Sequence, residues 1–362
     1  MIVGRRRLIQ LGASAATALI PTTTGAFAMT SAQQRPTADA SGGGLIDVHA
    51  HPSITLYHEL VRAYPALDAD SRYPNPIFYP PMMPVWSAGQ ALEMMDRHNV
   101  AAQVLSLPDA TLGLRGETAR KWARHINEAM ARIVSDHPGR FAAFAVVPHD
   151  DTDSTLAEIE YALDVLKLDG VCTSTNVRGV YLGDATFDPW FAELDRRSAV
   201  LFIHPTMPPL PDRVTPPIIE FSFDSARMVM NMVLSGGKRR FPSIKMISTH
   251  GGGAMPYLSH RLEIIQPFLG GGITTKQIHD DLRSFYYDLT SCMGPVPLAS
   301  ALAFVDPDRL LMGFDTPYAP ELMLADELER FNAFDGITEE GRRRILSGNA
   351  LSLFPSLAAS PT

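Results

Sequence analysis

Eight short apolar runs, each followed by a stretch long enough for a helix, leave this 362-residue chain few folds to choose from. The runs fall at 45–48, 100–107, 141–148, 170–175, 200–203, 244–248, 285–289 and 310–314, and their lengths suit buried strands. Helical periodicity fills the intervals at 88–98, 116–136, 154–168, 188–198, 222–234 and 254–268, with further helices around and after the last strand. Leu92 and Met95 share one face of their segment, and Asp188 with Pro189 suits a helix cap and first turn. Strict alternation of strand and helix implies parallel strands joined by right-handed crossovers. Eight such units favour a closed (β/α)8 TIM barrel over an open α/β sheet, and such barrels often fill this length as one domain.

The composition, 46% hydrophobic and 19% charged, supplies the core a barrel of this kind needs. A net charge of −8 and the lack of a basic stripe give no footprint for nucleic acid. Cys172 and Cys292 allow at most one disulfide, so no disulfide framework holds the fold.

Residues 1–28 read as an address and not as part of the fold. Arg5-Arg6-Arg7 precedes an apolar, small-residue run at 8–20, too short to span a membrane. Ala26-Phe27-Ala28 then supplies an A-x-A cleavage site, which places the mature start near Met29. The order Gly4-Arg5-Arg6-Arg7-Leu8-Ile9-Gln10 resembles a twin-arginine signal, and the resemblance implies export of a folded protein to the periplasm or beyond. Residues 29–43 read as a disordered lead-in, the barrel is expected over 44–355, and 356–362 form a tail. An insertion at 52–86, rich in Pro and Tyr, follows the first strand and is expected to form an ordered lid.

In barrels of this class the chemistry sits at the C-terminal strand ends. The first strand runs into His49-Ala50-His51, whose i and i+2 side chains share a face and aim two imidazoles at one point. The fifth ends in His204-Pro205, the sixth in Thr249-His250 before Gly251-Gly252-Gly253, and the eighth in Asp315-Thr316-Pro317. Taken singly, His204 reads equally well as a core histidine, Asp315 as a turn residue, and His250 as the start of a loop. Together they put four of the eleven histidines and one carboxylate on the rim of one barrel.

These residues lie within a longer series of motifs. The series comprises Ile46-Asp47-Val48-His49-Ala50-His51, Tyr181-Leu182-Gly183-Asp184, Phe202-Ile203-His204-Pro205 and His250-Gly251-Gly252-Gly253 with Pro256. It ends with Tyr287-Asp288, Gly313-Phe314-Asp315-Thr316-Pro317 and Gly348-Asn349-Ala350. Over about residues 45–355 this order resembles the amidohydrolase-related branch typified by aminocarboxymuconate-semialdehyde decarboxylase. The resemblance implies that His49, His51, His204 and Asp315 ligate one metal ion and that His250 is catalytic, with Asp315 also moving a proton. Such a set suits zinc or another borderline divalent ion. Binuclear relatives carry a bridging lysine at the end of strand four, where this chain has Cys172-Thr173-Ser174-Thr175; Lys167 precedes that strand, so a single ion is expected. Two positions depart from the pattern. Phe314 stands where a small hydroxyl residue is usual, and no arginine aligns with the one that binds substrate carboxylate, leaving Arg72 and Arg178 as substitutes.

The function expected from this is non-oxidative decarboxylation of an aromatic or unsaturated carboxylic acid. Hydrolysis of a lactone, amide or ester is the close alternative, because the same ligand set serves it. The loop with Pro205, Pro208, Pro209, Pro211, Pro216 and Pro217, and the aromatic lid, suit a flat substrate. A non-catalytic solute-binding barrel is the remaining class, and retention of all five site residues counts against it. The resemblance also implies a homodimer.

Overall fold

Eight strands pair side by side in chain order, every neighbour parallel: β1 (Leu45–Ala50), β2 (Val100–Leu105), β3 (Phe141–Ala145), β4 (Gly170–Ser174), β5 (Val200–His204), β6 (Lys245–Ser248), β7 (Tyr286–Asp288) and β8 (Leu310–Leu311). Every residue of β1, β3, β4 and β5 is buried. Both faces are covered, which is why these strands read as unbroken apolar runs and not as alternations. The computed structural model describes residues 44–63, 84–206, 216–270 and 272–358. The export signal, the lead-in, Arg72, residues 64–83 of the expected lid, Pro208, Pro209, Pro211 and residues 359–362 lie outside these.

The sheet closes between its first and last strands. Val48 N–H donates to the Met312 carbonyl (2.9 Å), Asp315 N–H to His49 (2.9 Å) and His51 N–H to Thr316 (2.7 Å). Ala50 and Thr316 form a parallel bridge. The run expected at 310–314 thus pairs first with β7 and then, through Thr316, with β1. The result is a (β/α)8 barrel, as the alternation implies, and its closing seam runs between His49 and Asp315.

Helices α1 (Thr55–Ala63), α2 (Ala88–Arg97), α3 (Gly116–Asp136), α4 (Thr152–Glu160), α5 (Asp188–Arg196) and α6 (Pro216–Leu234) follow the first five strands. The Ser87 and Asp151 side chains accept from backbone N–H groups and cap α2 and α4. Three segments differ from expectation. The helix expected at 154–168 is α4 followed by a π-turn (Tyr161–Val165), in which Leu166 N–H reaches back to Tyr161 (3.0 Å). Helix α6 begins at Pro216, not at 222, so Pro216 and Pro217 open a helix and do not belong to the preceding loop. Proline suits a first turn because its missing N–H has no partner there in any case. Finally, α1 occupies part of the stretch expected to be lid.

Under the site the core is aromatic. Phe202 of β5 stacks on Phe144 of β3 (centroids 5.0 Å) and meets the His49 ring edge-on (5.2 Å). This places a dry floor beneath the first histidine. Among the described residues no helix is long and apolar enough to cross a membrane, and both cysteines are free thiols.

Candidate metal centre and active site

The barrel brings His49, His51, His204 and Asp315 together, with one ligand atom from each lying within 4.8 Å of all the others. His49 Nε2 and His51 Nε2 are 3.0 Å apart, and Asp315 Oδ1 is 3.1 Å from His51 Nε2 and 3.6 Å from His49 Nε2. The three rings are buried and Asp315 is partly buried. Asp315 itself has φ +59°, a left-handed conformation that Asp tolerates better than most residues, and it lets the chain turn straight out of the seam.

Each imidazole is fixed by its other nitrogen. His51 Nδ1 donates to the Ser106 carbonyl (3.0 Å), and His204 Nδ1 donates to the Pro205 carbonyl (2.7 Å). His49 Nδ1 lies 3.0 Å from Asp288 Oδ2 and 3.0 Å from Thr290 Oγ1. Carbonyl oxygens only accept, so His51 and His204 carry their protons on Nδ1 and turn Nε2 lone pairs inward. Burial opposes a charge on Asp288, but the His49 ring and its hydrogen bond outweigh that and hold the carboxyl below the usual range. An ionised Asp288 gives His49 the same tautomer.

Lone pairs and a carboxylate are therefore directed at one another across about 3 Å, which is repulsive unless a cation lies among them. His204 Nε2 is buried with no hydrogen-bond partner among the described residues. An unpaired buried polar atom of this kind costs about 1–3 kcal/mol. Burial, then the neighbouring His51 and His49 rings, press His204 well below the usual imidazole range and keep it in the neutral, ligating form. The donor set fits a divalent metal ion: three imidazoles, one carboxylate, and second partners that set each ring's angle.

His250 lies outside this set but touches it. Its ring centroid is 5.1 Å from that of His49 and 5.6 Å from that of His204. Its backbone N–H donates to Asp288 Oδ1 (3.0 Å), so one carboxylate braces both His49 and His250. The Nε2 of His250 is also buried without a partner among the described residues, and burial with the nearby His49 brings the ring down to about 4. The glycines after it make the turn. Gly253 has φ +60°, and a Cβ there would run into the Ser222 carbonyl.

Two supports carry no role in the sequence reading. Asp47 Oδ1 accepts from His49 N–H (3.0 Å) and Phe314 N–H (3.2 Å), clamping the seam from within. Gln103 Nε2 donates to Asp47 Oδ2 (2.8 Å) and to Thr316 Oγ1 (2.9 Å). Asp288 stands in one of the quoted motifs without an assigned part. A carboxylate inside a buried strand signals a partner, and that signal is present at both positions. Beside the ligands lies a narrow cavity, with His51 and His204 on one side and Tyr57, Leu107, Pro108, Asp109 and Tyr318 around the rest. Leu107 closes the apolar run at 100–107 and Pro108 and Asp109 follow it directly, but no metal-ligand pattern marks them, and Tyr57 comes from α1.

The amidohydrolase family model matches residues 46–356. The chain belongs to the amidohydrolase family. It is 34% identical over 326 residues to 6-methylsalicylic acid decarboxylase of Penicillium expansum, covering 86% of this chain and 96% of that protein. It is 26% identical to 2-amino-3-carboxymuconate-6-semialdehyde decarboxylase of Dictyostelium discoideum, covering 74% of this chain and 76% of that one. The fold is shared with dihydroxybenzoic acid decarboxylase of Polaromonas sp. JS666, solved with bound manganese and the inhibitor 2-nitroresorcinol. That match has a TM-score of 0.72 at 21% identity, covering 88% of this chain and 98% of that one.

In this amidohydrolase the hydroxyls at the end of β4 are engaged elsewhere: Thr173 with His149 (2.9 Å), Ser174 with Asp109, and Thr175 with Asp224. Lys167 lies in the turn before β4, at the far end from the ligands. Arg178 donates to the Leu114 carbonyl (2.9 Å), and it is not among the residues lining the cavity.

Proposed function

We propose that this amidohydrolase is a metal-dependent, non-oxidative decarboxylase of an aromatic carboxylic acid. The observation that carries the reading is the three-imidazole, one-carboxylate cluster in a chain 34% identical to 6-methylsalicylic acid decarboxylase. His49, His51, His204 and Asp315 would hold one divalent ion. Zinc suits this donor set, and manganese, bound in the dihydroxybenzoic acid decarboxylase of Polaromonas, is the other candidate; elemental analysis of the purified protein separates them. A divalent ion held there would supply Lewis acidity toward a substrate oxygen.

The bond between ring carbon and carboxylate breaks, CO2 leaves, and a proton takes its place on the carbon. His250 offers a buried Nε2 for holding or moving that proton, and Asp315, partly exposed beside His51, is the second proton-handling group. Tyr57, Leu107 and Tyr318 line the cavity beside these groups. Export by the twin-arginine route belongs to the same proposal. It is supported by residues 4–10 and 26–28, and fractionation with N-terminal sequencing tests it.

The decisive experiment is CO2 release from 6-methylsalicylate and dihydroxybenzoates by metal-loaded protein. His250→Ala is expected to keep its metal and lose turnover by at least about 100-fold. Loss of metal in that variant would place His250 among the ligands. No release from a broad panel, with metal confirmed in the site, would leave hydrolysis of a lactone, amide or ester in its place.

A further inference from the structure

The cavity wall facing the ligands carries a carboxyl group that neither the metal set nor His250 accounts for. Asp109 lies in the loop after β2, is only 3% exposed, and lines the cavity together with His51, His204, Tyr57 and Tyr318. Its Oδ1 accepts from the Ser174 hydroxyl at the end of β4, which fixes the side chain. Among the described residues no hydrogen bond reaches Oδ2. The carboxyl of Asp224 shows the contrast, since it accepts from Thr175, Tyr181 and the Thr206 N–H. Among the described residues no Lys or Arg lines the cavity beside Asp109.

An anionic acceptor with an open oxygen selects by charge. A neutral donor on the substrate, a ring hydroxyl above all, gains a charge-assisted hydrogen bond. A second carboxylate brought to the same wall meets like charge. We propose that Asp109 is the specificity-determining residue of this cavity, selecting aromatic acids with a single carboxylate and a hydroxyl donor and rejecting diacids. The proposal rests on the decarboxylase reading and narrows its substrate class.

The test compares 2,6-dihydroxybenzoate with 3-hydroxyphthalate, in which a second carboxylate replaces one hydroxyl. Equilibrium binding and CO2 release are measured in parallel on metal-loaded protein at pH 8. Wild type is expected to favour the monoacid at least about tenfold in both Kd and kcat/KM. Asp109→Asn, nearly isosteric, is expected to cut that preference by about 10- to 100-fold with metal content unchanged, the span of a hydrogen bond to a charged group. Asp109→Ser replaces it if the Asn variant does not fold. Equal binding of the two acids by wild type overturns the proposal, as does an unchanged ratio in the variant. CO2 release from the monoacid with an unchanged ratio rejects Asp109 and keeps the decarboxylase. A shifted binding ratio without CO2 from either acid keeps Asp109 and rejects the decarboxylase.

Discussion

Two walls of one cavity bury ionisable groups by opposite means. On the seam between β8 and β1, the inner nitrogens of His49, His51 and His204 are tied to acceptors and their outer lone pairs converge with Asp315. On the wall after β2, the carboxyl of Asp109 is tied to the Ser174 hydroxyl; Asp224 of α6, outside the cavity lining, is likewise tied to Thr175 and Tyr181. The first wall presents concentrated negative potential with its geometry locked, which is what a small dication needs. The second presents a single open acceptor, which is what a neutral donor needs. Burial of a charge is not enough to mark a metal site; which atoms are left over after the hydrogen bonds are counted decides what the wall receives.

The comparison breaks first at His51. His51→Ala removes one ligand of the proposed ion from beside Asp315, so stoichiometric metal is expected to be lost on dialysis. Wild type should lose thermal stability when a chelator is added, by about 2.7 kcal/mol where the free metal had stood a hundredfold above its Kd. The variant should be indifferent to chelator. A wild type equally indifferent would remove the metal from the first wall. A smaller effect is expected from Asp288→Asn, which weakens the brace shared by His49 and His250. Metal affinity should fall about 10- to 100-fold by competition with a chromogenic chelator. Asp109→Asn in the same assay should leave affinity unchanged, and a comparable fall there would erase the distinction between the walls.

The first wall was legible in the sequence and the second was not, for a geometric reason. A strand has period two and a barrel gathers strand ends, so His49 with His51, then His204, His250 and Asp315, could be placed on one rim from spacing alone. Asp109 comes from a loop, Tyr57 from α1 and Asp224 from α6, and no period fixes where such side chains point. Asp47 and Asp288 fall between these cases. Each is a carboxylate inside a buried strand, which announces a partner, but naming that partner takes the register across the seam and between β6 and β7. The start of α6 was misplaced because Pro216 and Pro217 read as loop, although a first turn accommodates both.

Weaker still on metal is Gln103→Leu. The amide links Asp47 to Thr316 across the seam, and its loss leaves Asp47 Oδ2 buried without that donor. Urea denaturation should show about 1–3 kcal/mol of destabilisation, with metal affinity within a few-fold of wild type. A large loss of metal would mean that the clamp, and not the Nδ1 anchors, sets the ligand geometry.

The last contrast leaves the metal alone and lies in the sign of a pH slope. Burial raises the Asp109 carboxyl from 3.8 to about 7, with the Ser174 hydrogen bond opposing and Asp224 adding to the rise. Between about pH 4 and pH 7 the folded chain therefore keeps a proton that the unfolded chain has released. Stability contributed by this group is full below that window and is lost as pH rises through it. Asn does not titrate, so Asp109→Asn should gain on wild type in Tm on going from pH 5 to pH 8. Asp288 behaves the other way: its folded carboxyl lies below 3.8, so its contribution is present above that value and is lost as pH falls. Asp288→Asn should then gain on wild type only toward low pH. Slopes of the same sign in the two variants would mean that both carboxyls sit in one electrostatic environment, and the division into a cation-receiving and a donor-receiving wall would fail.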